Sequence, residues 1–438
     1  MPDTSVEDGA RTPVAVAAPG APRQAPPGPG HRPLGRSLDR LGAAARYAAP
    51  ALLGYAAVRA VGLALLALWD VRHGTGSLHR LSTMWDAYWY QDIAVHGYAG
   101  SKPVPGPYGP YQAYAFFPVY PMLVKLAWWL LPLPVNYAAL LVAWAGAVLA
   151  AWGIFAVAAR LYGRRTGVIA AVLWGVTPYA VVENMAYSEL VFTAFAAWSM
   201  YAAVTHRWLW AGTFSTLAGL TRPTGVAVAA AVGLGALGTL VAHRWHHRRS
   251  RAGQSAGAGS AAAGSMGAGS VWWRPVLGAA IAPLGFVGFV GWVGVQKGRW
   301  DGYFKVQEAW QSQFDFGRST YWVLRSMLVN AGPVWLTDVV VAGTLAASVL
   351  LFAVCVLQRQ PPTLLVFSAM MLLLALGDAA YFNSRARFLL PAFALLLPLA
   401  AGLARLRTRG AAAAVLGFAA LCSAAYGGYV VFVYTNSP

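Results

Sequence analysis

The sequence contains little cysteine and little charge. Only two of its 438 residues are cysteines, Cys355 and Cys422, and only 11% are charged, which is less than half the share typical of a soluble globular chain. Both cysteines lie inside apolar runs, and we interpret them as small buried hydrophobic residues. Neither a disulfide framework nor a cysteine-based metal site is therefore expected.

The sequence also lacks the short motifs of several common enzyme classes. It contains no zinc-ligand spacing, phosphate-binding loop, dinucleotide fingerprint or serine nucleophile elbow. No nucleotide-binding domain is evident. If the chain is an enzyme, we expect its donor substrate to be delivered by the membrane.

Long apolar runs dominate the rest of the chain. Hydrophobic residues make up 58% of it, and about 20 mostly apolar residues suffice to cross the roughly 30 Å hydrocarbon core of a bilayer. We predict an all-α polytopic membrane protein with about eleven transmembrane helices. The predicted spans are residues 47–70, 137–160, 166–183, 187–205, 208–221, 224–242, 274–296, 333–356, 362–380, 386–405 and 411–433.

The positive charge follows the expected membrane topology. The formal net charge is +18, and the cations are 28 arginines and four lysines. With the N-terminus in the cytoplasm, every short basic loop falls on the cytoplasmic side, as the positive-inside rule requires. We therefore attribute the charge to membrane topology and do not expect nucleic-acid binding.

The acidic residues that follow the tail all fall at or near the opposite, extracytoplasmic face. Acidic charge contributes little to topology, so membrane insertion does not explain this segregation. It indicates a functional site on that face, although polar external loops alone would give the same pattern. The ten residues are Asp70, Asp86, Asp92, Glu183, Glu189, Asp301, Glu308, Asp315, Asp338 and Asp378.

Composition divides the chain into four regions. Residues 1–45 are rich in Pro, Gly, Ala and Arg and are predicted to be a disordered basic cytoplasmic tail. Residues 46–242 form an N-terminal transmembrane region, and residues 273–438 form a C-terminal one. Between them, residues 243–272 are a basic and Gly/Ala/Ser-rich cytoplasmic linker.

Two external segments are long enough to build a site, residues 71–136 and residues 297–332. In the first, residues 115–134 are apolar but contain four prolines and one lysine. This pattern predicts an interfacial or re-entrant segment, because it does not provide an uninterrupted crossing.

The stretch WDAYWYQDIAVHGY, residues 85–98, concentrates aromatic and acidic groups in the first external segment. On a helix, Asp86, Trp89, Tyr90 and Ile93 share one face. Asp92, a candidate substrate-binding residue, lies about 240° around the axis from Asp86. Trp and Tyr are also typical of an interfacial helix. Asp86 follows Trp85 and is flanked by large rings, and a partly desolvated carboxylate is suited to act as a general base.

Two further ionisable residues lie at helix boundaries. Glu189 begins the fourth predicted span, where either helix capping or a functional role would account for it. Arg222 lies between two apolar runs, next to Pro223 and Gly225, which break the helix. A charge at membrane depth is costly and usually faces a cavity or a partner, so Arg222 is a candidate site residue.

Arg385 and Arg387 lie at the predicted outer ends of the ninth and tenth spans. The positive-inside rule disfavours cations there, so we expect an anionic partner. Phosphate fits the planar fork of arginine, and lipid headgroups offer the same geometry.

The second external segment carries KVQEAWQSQFDFG, residues 305–317. Gln307, Glu308 and Trp310 could line a polar site for a sugar. A solvated loop explains the same residues equally well.

Six stretches between about residue 80 and residue 395 carry a family resemblance when they are taken together and in order. They are WDAYWYQDIAVHGY, AFFPVYP (115–121), AYSEL (186–190), GLTRPTG (219–225), KVQEAW (305–310) and NSRARFLLPAF (383–393). This set resembles the PIG-V family of mannosyltransferases, which belongs to the GT-C glycosyltransferases. The basic tail and the linker lie outside the resemblance. The arginine-rich, lysine-poor composition is typical of proteins from high-GC actinobacteria.

The resemblance implies a GT-C-type membrane bundle with an extracytoplasmic active site. It implies a polyprenyl-phosphate sugar donor, usually mannose, and an acidic base in the first external loop, which matches Asp86. Glu189, Arg222 and Arg387 match other polar positions of the family pattern. The acceptor is left open among lipid, glycan and protein hydroxyls.

These expectations combine into one hypothesis, an inverting sugar transferase in the cell membrane. Asp86 would deprotonate the acceptor, and Arg222 and Arg387 would hold the lipid phosphate. Trp85, Tyr90 and Trp310 would offer flat faces to sugar or prenyl groups. No metal is required if arginines neutralise the phosphate, although a carboxylate-bound divalent cation stays open.

Two other functions compete with transfer. A transporter or lipid flippase would carry charged groups near the bilayer midplane and often related halves, but no clear internal repeat is present. A catalytically inactive scaffold in envelope assembly would not need Asp86 and Arg387.

Overall fold

The computed structural model describes residues 33–74, 76–255, 272–329, 333–379, 381–434 and 436–437. Over these residues the chain is helical, and its only extended pairings are two isolated bridges, Val104–Tyr111 and Phe314–Asp378. The helices are α1 (Pro33–His73), α2 (Ser77–Thr83), α3 (Asp86–Gly100), α4 (Val119–Leu130), α5 (Val135–Tyr162), α6 (Arg164–Trp174), α7 (Glu189–Val204), α8 (Trp208–Gly219), α9 (Gly225–Ser255), α10 (Trp273–Ile281), α11 (Leu284–Gln296), α12 (Gly302–Ala309), α13 (Arg318–Val329), α14 (Leu336–Leu357), α15 (Pro362–Gly377), α16 (Arg385–Phe388), α17 (Leu397–Ala404) and α18 (Arg409–Phe432).

The predicted all-α, multi-pass class is confirmed, but the count of eleven spans is not. Among the described residues, six helical stretches are long and apolar enough to cross a membrane, and a seventh arises if the pair Phe382–Phe388 and Phe393–Ala404, bent by 74°, counts as one span. Other predicted spans contain helices of only 11 to 16 residues, shorter than a complete crossing. The six are Asp39–Val71, Val135–Tyr162, Gly225–Trp245, Trp273–Gln296, Leu336–Leu357 and Gly410–Phe432.

The chain divides into two compact units, of which residues 47–438 form the larger. Of the predicted disordered tail, residues 1–32 lie outside the described residues. The prediction is wrong for residues 33–45, which belong to α1. Alanine and arginine in RLGAAAR, residues 40–46, favour helix, and this local preference outweighs the polar composition. Most of the predicted linker, residues 256–271, also lies outside the described residues.

Small residues bring α5 and α7 close together in the core of the unit 47–438. A Cβ atom placed on Gly146 would lie 2.8 Å from a side-chain atom of Val191, and one on Gly153 would lie 2.8 Å from Ala197. Such close approach is typical of helix packing in membranes, where small residues replace the hydrophobic driving force. It fixes the start of α7 against the middle of α5.

Two hydrogen bonds join loops that the predicted alternation places on the same side. Arg165 donates a hydrogen bond of 3.0 Å to the carbonyl oxygen of Leu406, so two loops predicted to be cytoplasmic meet. Arg80, in the first predicted external segment, donates a 2.8 Å bond to the carbonyl oxygen of Val431 near the end of α18. Which of these faces is extracytoplasmic stays a prediction.

The two predicted external segments fold into short helices, α2–α4 and α12–α13. With 12 residues, α4 is too short to cross a membrane alone, and Trp129 on it is 80% exposed, as an interfacial helix requires. Of the cysteines, Cys355 is buried as predicted, but Cys422 is exposed, because α18 turns that face away from the core.

Candidate active site

The site begins at the N-terminus of α3. Asp86 is the first residue of this helix, where the helix dipole favours a carboxylate, and its side chain is 19% exposed. The preceding Trp85 has a positive φ of 55°, a strained conformation for a bulky residue. Trp89, Tyr90 and Ile93 are buried, so the face predicted from helical spacing is the one that packs inward.

Arg387 reaches Asp86 from α16, the short helix before the bend in the chain. Its Nη2 lies 3.1 Å from Oδ2 of Asp86, and its Nε lies 3.2 Å from Oε1 of Glu189. The guanidinium therefore bridges two carboxylates. The rings of Tyr187 and Phe388 each lie 5.2 Å from its central carbon.

Glu189 begins α7 and is completely buried. Its second oxygen, Oε2, lies 2.8 Å from Nη1 of Arg222 in the turn between α8 and α9. The same Nη1 donates a 2.9 Å hydrogen bond to Oγ of Ser188. Glu189 thus links the two arginines, each through a different oxygen.

A hydrogen bond and the first turn of α3 join these contacts into a ring. The hydroxyls of Ser188 and Tyr90 lie 2.6 Å apart, and Tyr90 lies one helical turn after Asp86 on α3. Burial raises the pKa of Tyr90 above its ordinary value, so this phenol is a neutral partner. We call this closed set of contacts the polar ring: Asp86, Arg387, Glu189, Arg222, Ser188 and Tyr90.

The charges of the polar ring balance. Two carboxylates alternate with two guanidinium groups, which lowers the cost of placing four charges in a poorly hydrated site. The four elements that meet here come from positions up to about 300 residues apart in the chain, so the ring also ties the external segment to the membrane helices.

Next to the polar ring lies a cavity of about 360 Å³, within the size range of pockets that hold small ligands. Asp86, Arg387 and Gln307 contribute polar groups to it. We call it the aromatic cavity because of the rings that line it, which are Trp85, Tyr88, Trp89, Tyr111, Phe116, Trp310 and Tyr381.

Trp310 is the centre of these rings. Its ring centroid lies 4.3 Å from that of Tyr111, 5.5 Å from that of Phe116 and 5.6 Å from that of Trp89. Its Nε1 is buried and has no hydrogen-bond partner among the described residues. A buried indole N–H normally has an acceptor, so this donor is unsatisfied among the described residues.

A second cavity of about 400 Å³ adjoins the first and shares Gln307 and Ser312 with it. Its walls are mainly apolar, and we call it the apolar cavity. Phe388, the neighbour of Arg387, lies in its wall, and so does Pro223, the neighbour of Arg222. The other apolar side chains in the wall are Val226, Phe286, Tyr303, Phe304, Phe314, Met371, Leu374 and Ala375.

Gln307 lies on the boundary between the two cavities. Its Nε2 donates a 2.7 Å hydrogen bond to the hydroxyl of Tyr303 and a longer one, 3.3 Å, to the carbonyl oxygen of Ala115. These bonds fix the amide where both cavities can reach it.

The structure brings together most of the residues predicted for the site, in two groups. Trp85, Asp86, Gln307, Trp310 and Arg387 line the aromatic cavity. Tyr90, Glu189 and Arg222 belong to the polar ring without lining that cavity.

Two predicted site residues lie elsewhere. Asp92 contacts Nδ1 of His96 at 2.8 Å and accepts a hydrogen bond from Ser101. Arg385 is completely buried and donates hydrogen bonds to Ser319, at 2.7 Å, and to Thr320. Arg385 therefore holds α13 in place rather than facing a cavity.

Several lining residues were not predicted, above all Tyr111 and Tyr381. Tyr381 has a positive φ of 40°, and strained residues of this kind cluster at functional sites. The only sequence signal for either residue is its proximity to a motif, because the face that a loop residue presents depends on the tertiary fold.

No group of three or more His, Cys, Asp and Glu side chains suited to a metal ion occurs among the residues that the structure describes. At the site itself, Arg387 separates the two nearest carboxylates, those of Asp86 and Glu189. The charge that a cation would supply is present there as guanidinium.

Comparison with known proteins adds one partial sequence match. The profile of the family described as dolichyl-phosphate-mannose-protein mannosyltransferase matches residues 118–262, about a third of the chain. The matched part contains Glu189 and Arg222 but neither Asp86 nor Arg387. No curated protein sequence matches at the significance threshold.

Among solved structures, the chain is similar to ArnT from Cupriavidus metallidurans bound to undecaprenyl phosphate, with a TM-score of 0.49 and 15% identity over 84% of this chain and 63% of that one. It is also similar to the archaeal oligosaccharyltransferase AglB from Archaeoglobus fulgidus in complex with an inhibitory peptide and a dolichol-phosphate, with a TM-score of 0.41 and 15% identity over 85% and 55%. The chain spans less than two thirds of the length of either protein.

Proposed function

We propose that this protein is a GT-C-type membrane glycosyltransferase. It transfers a sugar, mannose in the first instance, from a polyprenyl-phosphate donor to a hydroxyl group of a carbohydrate acceptor on the extracytoplasmic face. The observation that carries the proposal is the meeting of Asp86 and Arg387 at the wall of an aromatic cavity. A base and a phosphate-binding cation thus lie side by side where a sugar fits.

Arg387 supports the part of the proposal that concerns the donor phosphate. Its Nε and Nη2 face carboxylates, but its buried Nη1 has no hydrogen-bond partner among the described residues. A guanidinium has five N–H groups in a planar fork that matches phosphate oxygens. A phosphate bound at Nη1 would leave both existing ion pairs in place.

The lining of the aromatic cavity supports a carbohydrate acceptor. Flat rings bind the apolar faces of sugar rings, while groups such as Gln307 and the free indole N–H of Trp310 can bond to hydroxyls. A peptide acceptor would need partners for its backbone N–H and C=O groups, and an apolar lipid would not use the polar groups. A sugar acceptor would use both the flat rings and the polar groups.

The apolar cavity supports a prenyl chain on the donor. It adjoins the site at Gln307 and Ser312 and reaches the start of α9 and the wall of α15. A chain bound there would place its phosphate near Phe388 and Arg387. Donor and acceptor would then meet at the shared boundary of the two cavities.

The proposed reaction is a single displacement. Asp86 takes the proton of the acceptor hydroxyl while that oxygen forms a bond to the anomeric carbon. The bond from the anomeric carbon to the phosphate oxygen breaks, and its electron pair stays on the lipid phosphate. Arg387 stabilises the charge that develops on the phosphate, and the configuration at the anomeric carbon inverts.

The partial family match adds independent support, since the matched family is named for mannosyl transfer from dolichyl phosphate. This support does not extend to the acceptor, because the matched family is named for protein acceptors whereas the aromatic cavity favours sugars.

The decisive experiment measures transfer of radiolabelled mannose from polyprenyl-phosphate mannose by the purified protein in liposomes. Acceptors would be short manno-oligosaccharides and, in parallel, serine- and threonine-containing peptides. We expect a labelled oligosaccharide product. Asp86→Asn should lower its rate by a factor of about 10² to 10⁴, the range for loss of a general base, with donor binding retained.

Asp92→Asn is the matched control, because Asp92 lies on the same helix and contacts His96 and Ser101. It should transfer at nearly the parental rate. Full activity in Asp86→Asn would reject the base role. Donor binding without any transfer by the folded parent protein would reject the enzyme proposal and favour a transporter.

A further inference from the structure

Glu189 belongs to the polar ring but is not placed to bind a substrate. It is completely buried, it does not line either cavity, and both of its carboxylate oxygens face arginines. A substrate cannot reach it without displacing Arg387 or Arg222. Its effect on a reaction must therefore pass through those neighbours.

The geometry defines what that effect is. Arg387 lies between two carboxylates, with Nη2 3.1 Å from Asp86 and Nε 3.2 Å from Glu189. Opposite charges within about 4–6 Å favour the ionised form of a carboxyl group, and like charges disfavour it. Because Glu189 shares Arg387 with Asp86, it weakens the electrostatic attraction between Arg387 and Asp86. Glu189 also places a second negative charge near Asp86.

We propose that Glu189 is a positioning residue that shares the Arg387 guanidinium with Asp86 and, by taking part of its charge, leaves Asp86 able to accept the proton of the acceptor. The inference rests on the proposed function for the identity of that proton. The effect of Glu189 on Asp86 itself does not depend on transfer and can be measured separately.

The surrounding groups leave this interpretation intact. Among the described residues, the phenols of Tyr90, Tyr187 and Tyr381 also interact with Asp86, and phenols are neutral below their usual pKa of about 10. Arg222 completes the set, and it contacts Glu189 and Ser188 rather than Asp86. Glu189 and Arg387 are thus the charges that act on Asp86 most directly.

The test measures the protonation of Asp86 by its reaction with a carbodiimide, which modifies protonated carboxyl groups. Peptide mass spectrometry would follow labelling of Asp86 against pH in the purified, full-length protein. In Glu189→Gln, the pH at which half of the labelling is lost should fall by about one unit, the low end of the range for a neighbouring charge. The acid limb of the pH–rate profile for transfer should move in the same direction.

Two variants protect the test against unfolding. Glu189→Gln leaves two buried arginines and only one carboxylate in the polar ring. Glu189→Gln combined with Arg222→Gln leaves one arginine and one carboxylate, so the charges balance again. The double variant should fold and shift the labelling midpoint in the same direction as the single one. Glu189→Asp keeps the charge and should recover part of the parental profile.

Glu183→Gln is the matched control. Glu183 is also a buried glutamate paired with an arginine, Arg59, at 3.6 Å, but it lies outside the polar ring. Its substitution should leave the labelling midpoint of Asp86 unchanged. A midpoint that is the same in the Glu189 variants as in Glu183→Gln would overturn the proposal.

The two proposals fail in different ways. A shifted labelling midpoint in a protein that transfers no sugar would support the role of Glu189 and reject the proposed function. Sugar transfer by the parent protein with an unshifted midpoint in the Glu189 variants would reject the role of Glu189 alone.

Discussion

At the scale of the residue, the site depends on groups that lack ordinary partners or ordinary conformations. Arg387 keeps an unbonded Nη1, Trp310 keeps an unbonded Nε1, and Trp85 and Tyr381 have positive φ angles. Each of these features costs free energy. All four residues line the aromatic cavity, where a ligand can repay the cost.

The indole N–H of Trp310 provides a direct test. Trp310→Phe keeps a ring that can stack on a sugar but removes the unbonded donor. We expect the KM for the oligosaccharide acceptor to rise about fivefold, since a neutral hydrogen bond contributes about 1 kcal/mol. The turnover number and the KM for the donor should stay close to the parental values.

Trp300→Phe is the control for that substitution. Trp300 is 87% exposed and lies outside both cavities. An unchanged acceptor KM in Trp310→Phe would show that the indole N–H does not contact the acceptor.

At the scale of the element, the polar ring requires a fixed distance between helices. Glu189 starts α7, and the position of α7 depends on its close packing against α5 at Gly146 and Gly153. The ring joins α7 to α3, α16 and the turn before α9. A small displacement of α7 would therefore move Glu189 relative to both arginines.

Gly146→Ala tests this dependence. The added methyl group would lie 2.8 Å from a side-chain atom of Val191 and 3.0 Å from its backbone nitrogen, so α7 must move away. We expect a loss of about 1–3 kcal/mol of stability, typical of overpacking, and a lower rate of transfer. Thermal unfolding in detergent and the transfer assay would measure the two effects.

Gly233→Ala in α9 is the matched control, because a Cβ atom there meets nothing within 4 Å. It should be neutral or slightly stabilising, since alanine favours helix. Equal behaviour of the two variants would contradict the role of close α5–α7 packing.

At the scale of the whole molecule, the unit 47–438 gathers ionisable residues at one end of its helices and basic loops at the other. Asp86, Glu189, Arg222 and Arg387 meet at the site, whereas Arg165 contacts the loop at Leu406. The proposed extracytoplasmic acceptor requires this end of the helices to face outward.

Labelling with a membrane-impermeant maleimide tests that orientation. In a variant without the two native cysteines, Lys102→Cys near the site and Arg407→Cys in a basic loop would each supply one exposed thiol. Intact cells should label Lys102→Cys, and only permeabilised cells should label Arg407→Cys. The reverse result would place the site in the cytoplasm and reject the proposed topology.

The sequence by itself determined the all-α, multi-pass class of the fold, and it also located the two long segments between apolar runs and most of the residues that meet at the candidate site. Apolar run length and charge segregation are local properties of the chain, and bilayer thickness and the positive-inside rule act on them directly. Asp86 and Arg387 could be recognised in the same way, because a charge among apolar residues is conspicuous wherever it folds.

Only the tertiary structure decided how those residues are grouped. It placed Glu189 between two arginines instead of in a cavity, directed Arg385 towards α13, and enclosed the site with Tyr111 and Tyr381. It also replaced several predicted spans by short or bent helices. The physical reason is that a pairwise contact between distant segments depends on helix packing and loop direction, neither of which is encoded in the local pattern of either segment.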